Sequence, residues 1–203
     1  MKLEYLGDSY DFVKLSLLRC LRILGPWSVV PMFTKADDAE RASELESFLK
    51  TTVIATECLT TQNRTSYFEN AAVDRHLFID PNTGLRLSKV TGKRELNYLL
   101  VSDLLLLSKD REKYLTMVFD QSLRRADDTE RRSEVKEKLR KLNEKGLFGF
   151  AYYSHACFLI LSRDQTVSSD AKECLNQGLG LPRSRLVEAP GNQVNNLQLL
   201  QRD

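Results

Sequence analysis

The fold of this chain is decided by the stretch Arg75-His76-Leu77-Phe78-Ile79-Asp80-Pro81-Asn82-Thr83-Gly84. The apolar run from His76 to Ile79 is too short for a buried helix, and the turn-forming residues after it end the element. The run therefore predicts a buried β-strand with Asp80 at its carboxyl end. Because ligands of open α/β sheets bind at the carboxyl ends of the strands, Asp80 is the first candidate for a functional residue. We expect it to be an acid exposed in a cleft.

The composition is that of one globular domain. The 203 residues are 42% hydrophobic and 29% charged, which is enough for a single well-buried core. A net charge of +2 does not by itself predict binding to nucleic acid or to an anionic membrane. The amino terminus has no signal-peptide pattern, and no apolar run approaches the roughly 20 residues of a membrane helix. We expect a soluble, cytoplasmic protein with no membrane partner, whose oligomeric state the sequence leaves open.

The four cysteines are far apart and form no Cys-x-x-Cys pair. Neither a zinc site nor a disulfide framework is therefore indicated by their spacing. We expect reduced, mostly buried thiols at Cys20, Cys58, Cys157 and Cys174.

Predicted strands and helices alternate along the chain. Apolar residues at helical spacing predict helices over 10–24, 37–50, 94–107, 129–145 and 168–175. Short apolar runs bounded by turns predict strands over 27–33, 52–55, 76–79, 114–120, 148–153, 157–161 and 185–188. The polar segment 56–74 is predicted to be a long loop with one helical turn.

This alternation predicts an α/β, Rossmann-like fold with a mostly parallel sheet and helices on both faces. The close spacing of 148–153 and 157–161 adds a C-terminal antiparallel hairpin. We expect one domain over 1–188. A tail rich in Gly, Asn and Gln over 189–203 is expected to be flexible.

The segment Gly7-Asp8-Ser9-Tyr10-Asp11-Phe12-Val13-Lys14 contains the first candidate site residues. Asp11 and Lys14 are three residues apart on one helix face and can act together on a phosphate, a metal or a base edge. In the alternative interpretation, Asp8 caps the helix and Asp11 forms a surface ion pair with Lys14.

The second and third candidates are the turns that end two predicted strands. Asp80 is followed by Thr83, and Asp120 by Gln121, Arg124 and Arg125. Because parallel strands end at one edge of a sheet, we expect Asp120 beside Asp80, with the arginines available for phosphate. In the alternative interpretation, both acids only accept hydrogen bonds from turn backbone.

Two further candidates lie in predicted loops. Asn63 lies in the polar loop that we expect to cover a substrate, and His155 separates the hairpin strands as a candidate acid, base or ligand. A lone histidine in a turn is more often an ordinary surface residue. Serine-hydrolase elbows, phosphate loops and His-Glu-x-x-His helices are absent from the sequence, which excludes several enzyme classes.

The element order resembles the second half of class I methyltransferases. There the strand corresponding to 76–79 ends in an Asp-Pro-Pro-aromatic motif that holds the target amine, and a helix, a strand, a helix and a hairpin follow. The Gly7 to Lys14 segment also resembles the Gly-Asn-x-Ala-Asp-x-x-Lys segment of large-subunit ribosomal RNA adenine-N6 methyltransferases. The resemblance places Asp80 and Pro81 on the catalytic motif, and implies S-adenosylmethionine as cofactor and nucleic acid as substrate.

The chain departs from that family in two places. Residues 31–37 contain no glycine where the family has a glycine-rich cofactor loop. Asn82 and Thr83 replace the second proline and the aromatic residue that stacks on a flipped base. A closer likeness is to uncharacterised bacterial proteins that share the Tyr-x-Gly-Asp start and the Asp-Pro-x-Thr-Gly turn.

Three functional hypotheses follow. The first is a methyltransferase-like enzyme acting on nucleic acid with a degenerate cofactor loop, in which Asp80 polarises the target amine. The second is a metal-dependent nuclease or phosphodiesterase that binds a divalent cation through Asp8, Asp11, Asp80 and Asp120. The third is a non-catalytic binding module. If the site is shared, the Lys14 amine should lie within about 8 Å of the Asp80 carboxylate.

Overall fold

The computed structural model describes residues 2–88, 92–123 and 127–189. The candidate residues Arg124 and Arg125 lie outside these ranges. Apart from Ala189, so does the tail predicted over 189–203.

Helices and strands alternate through most of the described chain. The helices are α1 (Ser9–Leu21), α2 (Ala36–Glu40), α3 (Ala42–Leu49), α4 (Arg64–Asn70), α5 (Val101–Leu107), α6 (Asp128–Asn143) and α7 (Gln165–Leu179). The strands are β1 (Trp27–Val30), β2 (Thr52–Val53), β3 (His76–Ile79), β4 (Gly84–Arg86), β5 (Tyr98–Leu100), β6 (Thr116–Phe119), β7 (Phe148–Tyr153), β8 (Cys157–Ser162) and β9 (Leu186–Glu188). Short 3-10 turns lie at Leu3–Tyr5, Arg22–Leu24, Gly92–Asn97 and Arg183–Arg185.

The main sheet has the strand order β2-β1-β3-β6-β8-β7-β9. Strands β2, β1, β3 and β6 pair in parallel, whereas β8 pairs antiparallel with both β6 and β7, and β9 antiparallel with β7. The sheet is therefore mixed, with β8 and β9 opposed to the other strands. The α/β class and the antiparallel hairpin are as predicted. Strands β4 and β5 form a separate parallel pair that the sequence pattern did not predict.

Both faces of the sheet are covered by helices. In β3, Leu77 and Ile79 pack into the cluster that includes α4, α5 and α6, whereas Phe78 packs into the cluster with α1, α3 and α7. All three side chains are fully buried. This two-sided burial explains why the strand is a continuous apolar run rather than an alternating one.

Helix α1 is joined to β1 by a very short connection. Its first turn is capped by the Asp8 carboxylate, which accepts the Tyr10 and Asp11 N–H groups at 2.8 and 3.1 Å. Gly25 ends the connection at φ +144°, where a Cβ would lie 2.9 Å from Nε2 of His76. The close approach holds the end of α1 against the first residue of β3.

The helix predicted over 94–107 is α-helical only from Val101. The buried Arg64 guanidinium donates to the carbonyl oxygens of Glu95 and Tyr98, which a continuous helix would use for its own hydrogen bonds. Arg64 also pairs with the carboxylate of Asp103, which in turn accepts the Leu100 N–H at 2.8 Å and starts α5 there. Arg64 is distant in sequence, so local periodicity does not reveal this interruption.

The helix predicted over 37–50 is also divided. Arg41 adopts φ −95° and ψ 15°, which ends α2 one residue before α3 begins.

Among the helices of the described ranges, none combines the length and the hydropathy needed to cross a membrane.

Candidate functional site

A cavity of about 320 Å³ lies where the start of α1 meets the carboxyl ends of β3 and β6. It is formed by residues that are close in space but come from three separate parts of the sequence. Its lining consists of Lys2, Tyr5, Asp8, Tyr10, Asp11, Lys14, Asp80, Pro81, Asn82, Phe119 and Gln121.

Lys14 lies between two carboxylates beside this cavity. Its amine is 2.8 Å from Oδ1 of Asp11 and 2.8 Å from Oδ2 of Asp80, which confirms the predicted proximity of Lys14 and Asp80. All three side chains are buried, and Asp80 is only 1% exposed. The expected surface ion pair and the expected exposed acid are therefore both wrong, because α1 packs directly onto the sheet.

Lys14 remains protonated in this environment. Burial lowers the pKa of Lys14, but the negative charges and hydrogen bonds of Asp80 and Asp11 outweigh it and hold the pKa above its ordinary value. The second oxygen of Asp11 accepts the Gly7 N–H at 2.8 Å. Asp11 therefore positions both Lys14 and the turn that precedes α1.

One acceptor atom of the cavity has no hydrogen-bond partner within the described part of the chain. Asn82 donates through Nδ2 to Thr34 Oγ1 and Asn97 Oδ1, both at 3.1 Å, but its own Oδ1 is buried and accepts no hydrogen bond there. Within the same residues, the Asp80 carboxylate accepts a side-chain hydrogen bond from Lys14 through Oδ2 alone. A buried acceptor without a partner is uncommon in folded proteins.

Aromatic rings form one wall of the cavity. The Tyr10 ring lies 5.7 Å from that of Phe119 and 5.3 Å from that of His155, and the Lys14 amine lies 4.6 Å above the Phe119 ring. His155 is exposed in the β7–β8 turn. It contacts the site through the Tyr10 ring.

Asp120 does not reach this cavity. The β3–β6 register aligns Ile79 with Val118, so that Asp80 corresponds to Phe119, and Asp120 is one position further along. Because successive strand residues face opposite sides, the two acids point to opposite faces of the sheet. The expectation that Asp120 lies beside Asp80 is therefore wrong. Both strands end at the same edge, but their register places the two side chains on opposite faces of the sheet.

On its own face Asp120 is part of a buried polar cluster. Its Oδ2 is 2.5 Å from the Lys138 amine, and its Oδ1 accepts from the backbone of Leu85 and from Ser122. A Cβ at Gly84 would lie 2.1 Å from Oδ1 of Asp120. The cluster joins β4, β6 and α6, a structural role of the kind that the alternative interpretation describes.

Of the remaining candidates, Gln121 lies at the cavity and Asn63 does not. Gln121 lines the cavity, and its N–H donates to the carbonyl oxygen of Thr83 at 2.9 Å. Asn63 holds the loop before α4, since its Oδ1 accepts the Thr60 N–H at 2.7 Å and its Nδ2 donates to Cys58 O at 3.0 Å. Asn63 is therefore not among the cavity residues.

The segment after β1 does not fit the nucleoside of S-adenosylmethionine. Met32 and Phe33 are fully buried there, and the Met32 N–H donates to the Tyr67 hydroxyl at 3.1 Å. Met32 has φ +50°, a conformation that glycine adopts more easily. Side chains thus occupy the space in which a glycine-rich loop would approach a cofactor.

A divalent-metal site is likewise not formed by the side chains that the structure describes. Across these residues, no group of three or more His, Cys, Asp or Glu side chains is arranged to hold a metal ion. The Lys14 ammonium lies between Asp11 and Asp80, and Asp8 caps α1.

Tyr10, Phe119 and Asn82 were not selected as site residues from the sequence. Tyr10 is in the first turn of α1, three positions before Val13, and resembles an ordinary helix-start residue. Phe119 directly precedes Asp120, and only the strand register shows that it, and not Asp120, faces the cavity. A comparison with protein-family models, with curated proteins and with solved structures found no match, so that the site is assigned from its own geometry.

Proposed function

We propose that the protein is a methyltransferase-like protein that binds nucleic acid by holding an amine-bearing base in the Asp80 cavity. The observation that carries this proposal is a cavity at the end of β3 that is lined by Asp80 and by Asn82, whose buried Oδ1 accepts no hydrogen bond from the described residues. The element order supports the likeness in part, because α5, β6, α6 and a β7–β8 hairpin follow β3, although β4 and β5 intervene between β3 and α5.

The acceptors favour a ligand with N–H donors. Leaving a buried acceptor unpaired costs about 1–3 kcal/mol, and an amine that approaches Asn82 and Asp80 would recover this energy. The exocyclic amine of adenine, cytosine or guanine has two N–H groups, which matches two acceptors. Thymine and uracil have no such amine.

The charge of the cavity does not favour a phosphate. Its lining contains three aspartates and two lysines, so that its net formal charge is −1. A phosphate would meet the Asp80 carboxylate and would leave the Asn82 acceptor unpaired. Backbone phosphates of a bound strand therefore lie outside the cavity, and only the base enters it.

The aromatic wall suits a flat ring. Stacking of a base on an aromatic side chain contributes about 1–3 kcal/mol. Thr83, at the position of the family's stacking aromatic, uses its backbone to bridge Asn97 and Gln121. Tyr10 and Phe119 instead provide the ring surface, and Lys14 holds the Asp80 carboxylate in a fixed orientation.

The filled segment after β1 favours binding over methyl transfer. Met32 and Phe33 are fully buried in the segment that corresponds, by the resemblance, to the family's cofactor loop. Calorimetry with S-adenosylhomocysteine separates the two versions, and we expect no heat of binding. A saturable heat would instead show a cofactor site and favour the methyl-transfer version.

Base recognition is tested with single-stranded oligonucleotides of equal length. Oligo-dA and oligo-dT carry the same phosphate charge, but only adenine has the amine. We expect oligo-dA to bind about 5–30-fold more tightly than oligo-dT. This ratio corresponds to a difference in binding free energy of about 1–2 kcal/mol. The variant N82L should bring the ratio close to one, whereas Q121A, which keeps both acceptors, should retain it.

Equal binding of oligo-dA and oligo-dT by the wild-type protein would overturn the proposal. A preference for oligo-dA that survives in N82L would also contradict it, because the recognition would then lie elsewhere. Circular dichroism of both variants separates a lost contact from a lost fold.

A further inference from the structure

Cys20 of α1 and Cys174 of α7 form a close thiol pair, although they are 154 positions apart. Their Sγ atoms are 3.7 Å apart. The Cys20 thiol donates to the Cys174 carbonyl oxygen at 3.3 Å, and the Cys174 thiol to that of Cys20 at 3.4 Å. The reciprocal contacts show that the two helix backbones are close at this point.

The close approach depends on a glycine in α7. Gly178 lies one helical turn after Cys174, and a Cβ there would be 2.6 Å from Sγ of Cys20. A larger residue there would force the Cys20 side chain out of its position against α7. The thiol pair is therefore built into the packing of the two helices.

The pair is open to small reagents. Cys20 and Cys174 are half-buried and line an open groove between α1 and α7, together with Arg19 and Gln177. Cys157, by contrast, is fully inside the core. The half-buried Cys58 lies in the loop before α4, which packs on the opposite face of the sheet from α1 and α7.

We propose that Cys20 and Cys174 are a redox-modification site that forms a reversible disulfide by exchange with a small disulfide such as oxidised glutathione. One thiolate attacks a glutathione sulfur and releases the first glutathione. The second cysteine then attacks the mixed disulfide and releases the second glutathione. The two thiol protons end on the two glutathione molecules, so that the cysteines are oxidised and the glutathione is reduced.

The geometry requires only a small adjustment. The sulfur atoms must move from 3.7 Å to the S–S bond length of about 2.05 Å. Burial, followed by the hydrogen bond and the charge of Cys174, raises the pKa of Cys20 to about 11. The exchange is therefore expected to be slow at neutral pH and faster at alkaline pH, because the thiolate is the attacking species.

The bond would fix the helix that carries the candidate site. Lys14 is six residues before Cys20 in α1, or about 9 Å along the helix axis. A disulfide at Cys20 would hold α1 to α7 and thereby hold the segment that places Lys14 against Asp80. This inference does not depend on the ligand of the cavity.

The test uses the native full-length protein and its C174S variant, incubated with oxidised glutathione at alkaline pH. The wild type should lose two of its four free thiols and the mass of two hydrogen atoms. A non-reducing digest should give one peptide pair that joins Cys20 to Cys174. The melting temperature should rise by about 5–10 °C and return after dithiothreitol treatment.

The C174S variant should instead keep one glutathione on Cys20, because it has no second thiol nearby. Retention of all four thiols in the wild type would overturn the proposal. A stable glutathione adduct on wild-type Cys20, or a cross-link that includes Cys58, would overturn it equally.

Discussion

The amine of Lys14 lies 2.8 Å from the Asp80 carboxylate, although the two residues are 66 positions apart. The pair joins the first helix to the central strand, and both side chains are buried. Asp11 is the third member, so that one positive charge is shared by two negative charges. This arrangement links the stability of the fold to the electrostatics of the candidate site.

Loss of the Lys14 charge should be strongly destabilising. The variant K14M keeps an unbranched apolar side chain but leaves Asp11 and Asp80 buried without a cation, which should cost about 3–5 kcal/mol. Urea unfolding measures this loss. K172M is the matched control, since the Lys172–Glu188 pair is partly exposed and should contribute about 0–1 kcal/mol. Similar losses in both variants would contradict the burial of Lys14.

His76 should make stability depend on pH. Burial is the main cause that lowers the pKa of His76, and the charge of Arg111 adds to it, against a raising contribution from the bond to Leu24 O. The Leu115 N–H donates to Nδ1 of His76, so that protonation there would break a hydrogen bond.

The sign follows from the two states of the chain. The unfolded chain binds a proton as the pH falls through about 6.5, whereas folded His76 does so only at lower pH. The contribution of His76 to the free energy of unfolding should therefore be constant above that pH. Below that pH the contribution should decrease. H76Q should flatten this dependence between about pH 7.5 and 5.5. An unaltered slope in H76Q would assign the dependence to other groups.

Replacement of Gly84 should be costly for a local reason. In G84A the Cβ would overlap Oδ1 of Asp120, and the backbone has φ +134°. We expect a loss of about 3–5 kcal/mol from the combined clash and strain. G180A is the control, because Gly180 has φ +58° but no atom within 4 Å of its Cβ, and it should lose about 1–2 kcal/mol. Chemical denaturation of both variants should keep this order.

Truncation of the β3 side chains that face α4, α5 and α6 should lower the stability of the protein. L77A and I79A remove fully buried side chains and should each cost about 2–5 kcal/mol. I79V removes one methylene and should cost about 0.5–1.5 kcal/mol. Near-neutral results for both alanine variants in denaturant titrations would show that β3 is not held between two layers in solution.

Local patterns in the sequence were enough to predict the main layers of the fold. The apolar run of β3, the capped start of α1 and the β7–β8 hairpin are all visible within a few residues. The Lys14–Asp80 contact was also predictable, because the short connection between α1 and β1 keeps α1 on the sheet.

Other features depend on distant contacts. The interruption before α5 requires Arg64, and the separation of Asp120 from Asp80 requires the register between β3 and β6. A shift of one residue in that register would exchange Phe119 and Asp120 between the faces. Neither effect has a local signature in the sequence.

Lys14 and Lys138 fix adjacent strand ends from opposite sides of the sheet. Lys14 binds Asp80 after β3 and Lys138 binds Asp120 after β6, from α1 and α6 respectively. Strand ends that are fixed in this way have little freedom to rearrange around a ligand. The shape of the cavity is therefore set before binding. Selectivity should then arise because ligands of the wrong shape are excluded, and not because the protein adapts its shape to each ligand.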